Sequence, residues 1–183
     1  MKASTVTEKL KEAGIQVFLG HSEDNLGDAD LLVYSAAVSM DNPEIRKAKE
    51  KGIAIISRAE ALGSIMADFK TSLAISGTHG KTTTTSMVSL ILERAGLSPT
   101  ILVGGILSQF KGNVKVGSGN YFVTEACEYM DSFLQLQPWS EIIINIDSDH
   151  LDYFKDINHI QQSFQTFADK VPEDGVIFAY DSN

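Results

Sequence analysis

The residues most able to do chemistry lie in one stretch, residues 76–84, with the sequence Ser-Gly-Thr-His-Gly-Lys-Thr-Thr-Thr. An apolar run precedes it and a helical pattern follows, so it predicts a strand, a glycine loop and a helix N-terminus. The free N–H groups and positive dipole end of such a helix attract anions, the glycines allow close backbone approach, and Lys81 adds a full charge. Thr82 offers a hydroxyl oxygen to Mg²⁺. The stretch therefore predicts a phosphate-binding loop in the short GxxGKT form, because position 75 is isoleucine where the longer GxxxxGK[ST] form has glycine.

Two further predicted strands end in groups that could complete such a site. Residues 121–124 lead into Glu125, and residues 141–146 lead into an acidic segment that contains His150. The carboxyl ends of parallel strands meet at one edge of a sheet, where ligands bind. We expect Lys81 and the loop amides to hold the β and γ phosphates, and Thr82, Glu125 and His150 to offer ligands to Mg²⁺.

Each of these groups also has a simpler interpretation when it is taken alone. Glu125 could be a solvated carboxylate at a strand end, and a lone histidine is more often structural than a ligand. Three aspartates near His150 could orient it or repel a bound nucleotide, and their spacing does not distinguish between these two roles. They are Asp147, Asp149 and Asp152. No base is placed to activate Cys127, which favours a small buried side chain over a nucleophile.

The elements that must position these groups alternate along the chain. Before the glycine loop we predict helices over residues 5–13, 43–51 and 58–67 and strands over residues 15–19, 31–34 and 53–56. After the loop we predict a helix with Met87, Val88, Ile91, Leu92 and Ala95 on its buried face, a strand over residues 100–103, and a loop or small hairpin over residues 108–120. The last elements are a helix capped by Asp156 with the apolar stripe Ile157, Ile160, Phe164, Phe167 and Val171, and a strand over residues 176–179.

This alternation predicts an α/β fold in two domains. Residues 1–70 predict a Rossmann-like parallel sheet, and residues 71–183 predict a P-loop ATPase domain. The chain begins on a helix and has no early GxGxxG turn. We therefore expect the first domain to be atypical or to lack its first strand, loop and helix.

The composition narrows the class of partner. The chain has 183 residues, 43% hydrophobic residues and a formal net charge of −9, which argues against a nucleic-acid or anionic-membrane surface. The sequence contains neither a signal-peptide pattern nor an apolar run long enough to span a bilayer. Cys127 is the single cysteine, so no intrachain disulfide can form, which fits a cytoplasmic protein.

Three segments carry a resemblance to a known family. GTHGKTTTTSM (residues 77–87), EACEYMDSF (residues 125–133) and NIDSDHLDYF (residues 145–154) resemble the Mur ligase family. Residues 33–53 and 57–62 are similar to the uridine-nucleotide domain of that family. The chain has Glu125-Ala126-Cys127-Glu128 where the family commonly has EADE, so one carboxylate of the pattern is missing.

The resemblance implies an ATP-dependent ligase that joins L-alanine to UDP-N-acetylmuramate through an acyl phosphate, in peptidoglycan precursor synthesis. It implies ATP and Mg²⁺ as cofactors and small molecules as partners, without a nucleic acid or a membrane. ATP binding is implied for Gly77, Thr78, His79, Gly80, Lys81, Thr82, Thr83 and Asn145. Catalytic roles are implied for Lys81, Glu125 and His150, magnesium ligation for Thr82, Glu125 and His150, and uridine binding for Ser35 and His21.

Two alternatives to that activity stay open. A peptidoglycan-recycling ligase that attaches a whole peptide to the same sugar nucleotide would share this glycine loop. The chain could also be a non-catalytic nucleotide-binding fragment, although the joint presence of Lys81, Thr82, Glu125 and His150 argues against a decayed site. Members of the family have a third, C-terminal domain, and the resemblance implies that this chain lacks it and the end of the ATPase domain.

Overall fold

The computed structural model describes residues 5–107, 109 and 112–180. The chain divides into two compact units, and the boundary in sequence lies between Arg58 and Ala59. The predicted domain boundary after residue 70 stays a prediction. Among the described residues no helix is both long and apolar enough to cross a membrane.

The first unit carries a small parallel sheet and two helices. In chain order its elements are α1 (Thr5–Glu12), a 3₁₀ helix (Glu23–Leu26), β1 (Leu31–Tyr34), α2 (Pro43–Lys51) and β2 (Ala54–Ser57). The start of α2 is capped, because the Asn42 side chain accepts a hydrogen bond from the Glu44 amide and Pro43 occupies the first turn. Gly52 ends the helix in the left-handed conformation that glycine adopts freely.

One prediction in this unit is wrong, namely the strand over residues 15–19. This segment forms no strand, and its larger apolar side chains are about half exposed: Ile15 51%, Phe18 45% and Leu19 55%. A strand requires a hydrogen-bonded neighbour, and the sheet of this unit, as far as the structure describes it, consists of β1 paired with β2. An apolar alternation does not by itself supply that neighbour.

The second unit is built on a six-stranded sheet within the described residues. Its elements are α3 (Arg58–Ala67, whose first residue closes the first unit), β3 (Thr71–Ser76), α4 (Lys81–Arg94), β4 (Thr100–Leu107), β5 (Gly112–Lys115), β6 (Tyr121–Glu125), a 3₁₀ helix (Tyr129–Gln135), β7 (Ser140–Ile143), α5 (Ile157–Ala168) and β8 (Val176–Ala179). The strand order is β5-β4-β6-β3-β7-β8, and every pair is parallel except the β4–β5 hairpin. The α/β fold with parallel sheets is thereby confirmed.

The order of the strands places a switch point at β3. From β3 the chain passes to β4, β5 and β6 on one side and then to β7 and β8 on the other. Ile75 of β3 lies in register with Glu125 of β6 and with Ile142 of β7. In an open parallel sheet the crevice beyond the carboxyl ends of the strands at such a point is the usual ligand site.

A core of aromatic and aliphatic side chains covers one face of this sheet. Its buried members are Met66, Ala74, Phe122, Ala126, Phe133, Leu136, Phe154, Ile160, Phe164 and Phe167. The predicted stripe of α5 supplies Ile160, Phe164 and Phe167, which are at most 1% exposed. Phe133 of the 3₁₀ helix stacks on Phe167 with ring centroids 4.6 Å apart. This packing fixes the segment that follows β6 against α5.

The predicted buried face of α4 is wrong. Met87 and Ile91 are 59% and 64% exposed, whereas Thr85 and Ser89 are completely buried. Lys81, Thr85 and Ser89 follow one another at intervals of four residues and so share one side of the helix. Because the glycine loop fixes where Lys81 points, it also fixes the rotation of α4, and the apolar residues do not decide it.

Candidate functional site

The glycine loop between β3 and α4 runs close to the segment after β7 at its first position, Gly77. Gly77 has φ +135°, and a Cβ there would lie 3.1 Å from the Ile144 Cβ and 3.2 Å from the Asn145 nitrogen. Gly80 caps α4 with φ +87°. Both glycines have backbone conformations that residues with a side chain rarely adopt, and a Cβ at Gly77 would also push its neighbours by a few tenths of an ångström.

Asn145 and its neighbours hold this loop in place. The Asn145 side chain accepts a hydrogen bond from the His79 amide at 2.9 Å and donates one to the His79 carbonyl at 3.1 Å. The Thr78 amide donates to the Asn145 carbonyl, and the Asp147 amide donates to the Thr78 hydroxyl at 2.9 Å. The amides of Thr78 and His79 are therefore occupied by protein. The N–H groups of the first turn of α4 have no partner within a helix, and they are the ones available to a phosphate.

Lys81 lies in the loop with its ammonium fully engaged. The Nζ donates to the Gly77 carbonyl at 2.5 Å and contacts the two Glu128 carboxylate oxygens at 2.8 and 3.0 Å. The Glu128 side chain is 3% exposed. The sequence pattern identified Lys81 as a site residue but not Glu128, although Glu128 lies in the EACEYMDSF segment, three residues after Glu125.

Glu125 and Thr82 flank the two glycines in β4. The Gly104 amide donates to Glu125 Oε1 at 2.7 Å. A Cβ on Gly104 would lie 2.9 Å from Glu125 Oε2, and a Cβ on Gly105 would lie 3.1 Å from the Thr82 Cγ2. A backbone amide thus orients the Glu125 carboxylate. This contact could not be predicted from the sequence.

His150 does not share the partner of Glu125, and lies beside Glu128 and Tyr129. Its Nε2 is 3.8 Å from Glu128 Oε1, and its ring packs on the Tyr129 ring with centroids 4.7 Å apart. Its own φ is +51°, and its amide donates to the Asp149 carboxylate at 2.7 Å. Of the aspartates near His150, Asp149 therefore binds its backbone.

Two tyrosine–aspartate hydrogen bonds tie the Glu128 segment to the His150 segment. Tyr129 donates to Asp152 at 2.8 Å, and Tyr153 donates to Asp131 at 2.6 Å. These bonds raise the pKa of both tyrosine hydroxyls above the ordinary value, because a hydrogen bond donated to a carboxylate favours the protonated phenol. Ser163 of α5 also donates to Asp131. The pair of bonds fixes Glu128 and His150 relative to each other.

The predicted metal ligands lie in two separate places. Thr82 and Glu125 flank the glycines of β4, and His150 packs beside Glu128. In the part of the chain that the structure describes, no three His, Cys, Asp or Glu side chains form a metal-binding group. A hydroxyl and a carboxylate are nevertheless donors that Mg²⁺ accepts. The expectation of a buried Cys127 is wrong, since its side chain is exposed.

The two candidates for uridine binding lie in the first unit. His21 is 3.4 Å from the Glu44 carboxylate through its Nδ1, and Asn25 donates to the same oxygen at 2.8 Å. Ser35 follows β1, and its carbonyl accepts a hydrogen bond from the Val38 amide at 2.9 Å. Ser35 lies at the carboxyl end of a parallel strand, where ligands bind. Both assignments stay predictions.

Replacing Gly104 by alanine is expected to weaken magnesium-dependent ATP binding about tenfold, because the new Cβ displaces the Glu125 carboxylate. Calorimetric titration with ATP at several Mg²⁺ concentrations measures the effect. In a Glu125→Gln background the same glycine change should cost little more, since both changes act on one group. Fully additive losses would contradict this explanation.

Comparison with known proteins adds an independent line of evidence. The model of the Mur ligase family, catalytic domain, matches residues 1–70, and that of the Mur ligase middle domain matches residues 75–183. A UDP-N-acetylmuramate–L-alanine ligase of Clostridium botulinum is 53% identical over 180 residues, which are 98% of this chain and 39% of that protein. The ligase of the same name from Acetivibrio thermocellus is 53% identical over 98% of this chain and 38% of its own length.

Two solved structures resemble the whole chain. UDP-N-acetylmuramate-alanine ligase MurC of Thermotoga maritima superposes with a TM-score of 0.84 at 29% identity, over 100% of this chain and 46% of that chain. The UDP-N-acetylmuramate:L-alanyl-gamma-D-glutamyl-meso-diaminopimelate ligase of Neisseria meningitides gives 0.89 at 28% identity, over 100% and 62%. The chain spans about two fifths of the length of the curated relatives that it matches.

Proposed function

The chain belongs to the Mur ligase family, and on that premise we propose that it supplies the ATP site of a ligase that joins L-alanine to UDP-N-acetylmuramate. The observation that carries the proposal is that the glycine loop, Glu125 and the segment before His150 lie at the carboxyl ends of β3, β6 and β7. There the Thr78 hydroxyl accepts a hydrogen bond from the Asp147 amide, and Lys81 donates one to Glu128. The 53% identical relatives named for this activity support the choice of substrates.

The proposed chemistry is transfer of the γ-phosphoryl group of ATP to the muramoyl carboxylate. The resulting acyl phosphate loses inorganic phosphate when the amine of L-alanine attacks its carbonyl carbon, which forms the amide. Phosphoryl transfer to an anion gathers several negative charges in a small space, so catalysis depends on fixed cations and amides. Lys81 and the first-turn amides of α4 supply that environment here.

The remaining residues take roles that fit their positions. Thr82 and Glu125 would hold magnesium, which supplies charge neutralisation at the phosphates. The Gly104 amide orients the Glu125 carboxylate for this role. His150 would lie at a second magnesium or at the substrate phosphate, and Ser35 and His21 at the uridine end. Because the chain's single cysteine fits a reducing compartment, we place the reaction in the cytoplasm.

A second candidate is the ligase that attaches a whole peptide to the same sugar nucleotide. It is favoured by the TM-score of 0.89 to the Neisseria meningitides enzyme, whose name gives a tripeptide as its second substrate. The relatives with higher sequence identity carry the L-alanine name, and we therefore prefer L-alanine. The two candidates differ only in the amine that they accept.

A chimera tests the proposal, because the chain spans 39% of its Clostridium botulinum relative. This chain replaces the matching segment of that ligase, and phosphate release from ATP is followed. We expect release only when both UDP-N-acetylmuramate and L-alanine are present. The tripeptide replaces L-alanine in a parallel assay and should be inactive. Equal release without any amine would overturn the ligase assignment, and release with the tripeptide alone would favour the second candidate.

A further inference from the structure

A buried carboxylate, that of Glu128, lies between Lys81 and His150, the two side chains that the proposed function places near phosphate groups. Glu128 is 2% exposed, its carboxylate oxygens lie 2.8 and 3.0 Å from the Lys81 Nζ, and its Oε1 lies 3.8 Å from the His150 Nε2. A carboxylate so removed from water needs a cation close by, because an unpaired buried charge is strongly unfavourable.

The Lys81 ammonium has no hydrogen left for another ligand in this arrangement. It has three hydrogens, and it contacts the Gly77 carbonyl, the Thr78 carbonyl and the Glu128 carboxylate. A phosphate that binds Lys81 must take over at least one of these contacts. The carboxylate is the one charged group among them, and a phosphate is an anion of the same sign that competes for the same cation.

We propose that Glu128 is a positioning residue that holds Lys81 as its counter-ion until a nucleotide phosphate replaces it. The inference rests on the proposed ATP site and deepens it, because it says what opposes nucleotide binding there. Glu128 keeps the ammonium in the loop and prevents an unpaired buried charge. In return, part of the phosphate binding energy is spent on separating this ion pair.

The main chain around Glu128 is anchored by hydrogen bonds, which limits how far the carboxylate can follow Lys81. The Glu128 carbonyl accepts a hydrogen bond from the Asp131 amide at 2.9 Å, and the Ala126 amide donates to the Ile75 carbonyl of β3 at 2.8 Å. The two tyrosine–aspartate bonds described above hold the rest of the segment. Lys81 has four rotatable side-chain bonds and lies at a helix start, so the lysine is the partner that moves.

A purely structural ion pair predicts the opposite effect on binding. If Glu128 served only to fold the loop, its loss would loosen the loop and weaken nucleotide binding. If Glu128 competes with phosphate, its neutralisation leaves Lys81 without a counter-ion and makes the phosphate its best partner. The same change then lowers stability without nucleotide and raises affinity for nucleotide, because the two effects are linked.

The test compares wild type, Glu128→Gln and Glu128→Asp as 183-residue chains. For Glu128→Gln we expect a lower midpoint of thermal unfolding without nucleotide and a dissociation constant for Mg-ATP about tenfold lower than that of wild type. Calorimetry measures the binding. Glu128→Asp keeps the charge, so its affinity should stay closer to that of wild type. Glu93→Gln is the matched control, since Glu93 pairs with Lys115 near the other end of α4. It should lower stability without a gain in affinity.

Each outcome of this comparison decides the proposal. Unchanged or weaker Mg-ATP binding by Glu128→Gln overturns it, as does undetectable binding by both wild type and this variant. If Glu128→Gln is unfolded without nucleotide, refolding on addition of Mg-ATP supports the proposal, and failure to refold overturns it. The ligase assignment is judged separately by phosphate release from the chimera. Tighter binding by Glu128→Gln together with amine-independent phosphate release would keep the role of Glu128 and reject the ligase.

Discussion

Lys81→Ala is expected to weaken Mg-ATP binding by about a hundredfold, because a charge-assisted hydrogen bond contributes roughly 1.5–3 kcal/mol. The same substitution in the chimera should abolish phosphate release. Lys81 is the cation that the loop itself presents, at the first position of α4 and within 2.5 Å of the Gly77 carbonyl. Calorimetric titration of the 183-residue chain and the phosphate assay on the chimera measure the two effects.

Lys81→Ala also leaves the buried Glu128 carboxylate without its cation, so a loss of folding must be separated from a loss of binding. The double variant Lys81→Ala/Glu128→Gln removes both charges and should recover thermal stability without recovering nucleotide binding. Lys70→Ala is the matched lysine control, since Lys70 is exposed just before the opposite end of β3. A Lys81→Ala chain that is folded and binds Mg-ATP within about threefold of wild type would reject the assignment of this loop.

The parts of the site that were predictable are those carried by local sequence. Backbone conformation explains the two glycines, and the structure places Gly77 and Gly80 between β3 and α4 as predicted. Lys81 is the first residue of α4, at the predicted helix start. Glu125 lies at the carboxyl end of its strand as expected, as the last residue of β6, because a strand end can be predicted from a short apolar run. Such signals depend on neighbouring residues only.

The parts that were missed depend on residues far apart in the chain. The Glu128–Lys81 pair spans 47 positions and the Gly104–Glu125 bond spans 21. A single sequence does not specify which residues so far apart in the chain come into contact. The rotation of α4 failed for a related reason. The loop contacts of Lys81 outweigh the hydrophobic pattern, and so Thr85 and Ser89 are buried in place of Met87 and Ile91.

Glu141→Gln is expected to remove a large pH dependence from the stability of the second unit. Glu141 of β7 is fully buried, and among the described residues its Oε2 has no hydrogen-bond partner. Burial raises the pKa of this carboxyl from 4.5 to about 7, although a 2.7 Å hydrogen bond from Ser76 to its Oε1 acts in the opposite direction. The folded chain therefore holds a proton that the unfolded chain releases at lower pH.

The direction in which stability changes with pH depends on whether the folded or the unfolded state binds more protons. Between pH 4.5 and about 7 the folded state is the more protonated, so this carboxyl lowers the free energy of unfolding as the pH rises. Below pH 4.5 both states are protonated, and above pH 7 the loss is complete. Relative to Glu141→Gln, wild type should lose about 3 kcal/mol across this window.

Urea unfolding of both chains at closely spaced pH values between 4 and 8 measures this difference. Glutamine keeps an acceptor for Ser76 and cannot ionise, so the variant should show the flatter profile. Glu173→Gln is the control, because Glu173 is exposed and its replacement should leave the wild-type slope unchanged. Parallel profiles for wild type and Glu141→Gln would mean that Glu141 reaches water or a partner when it ionises, and the raised pKa would then be rejected.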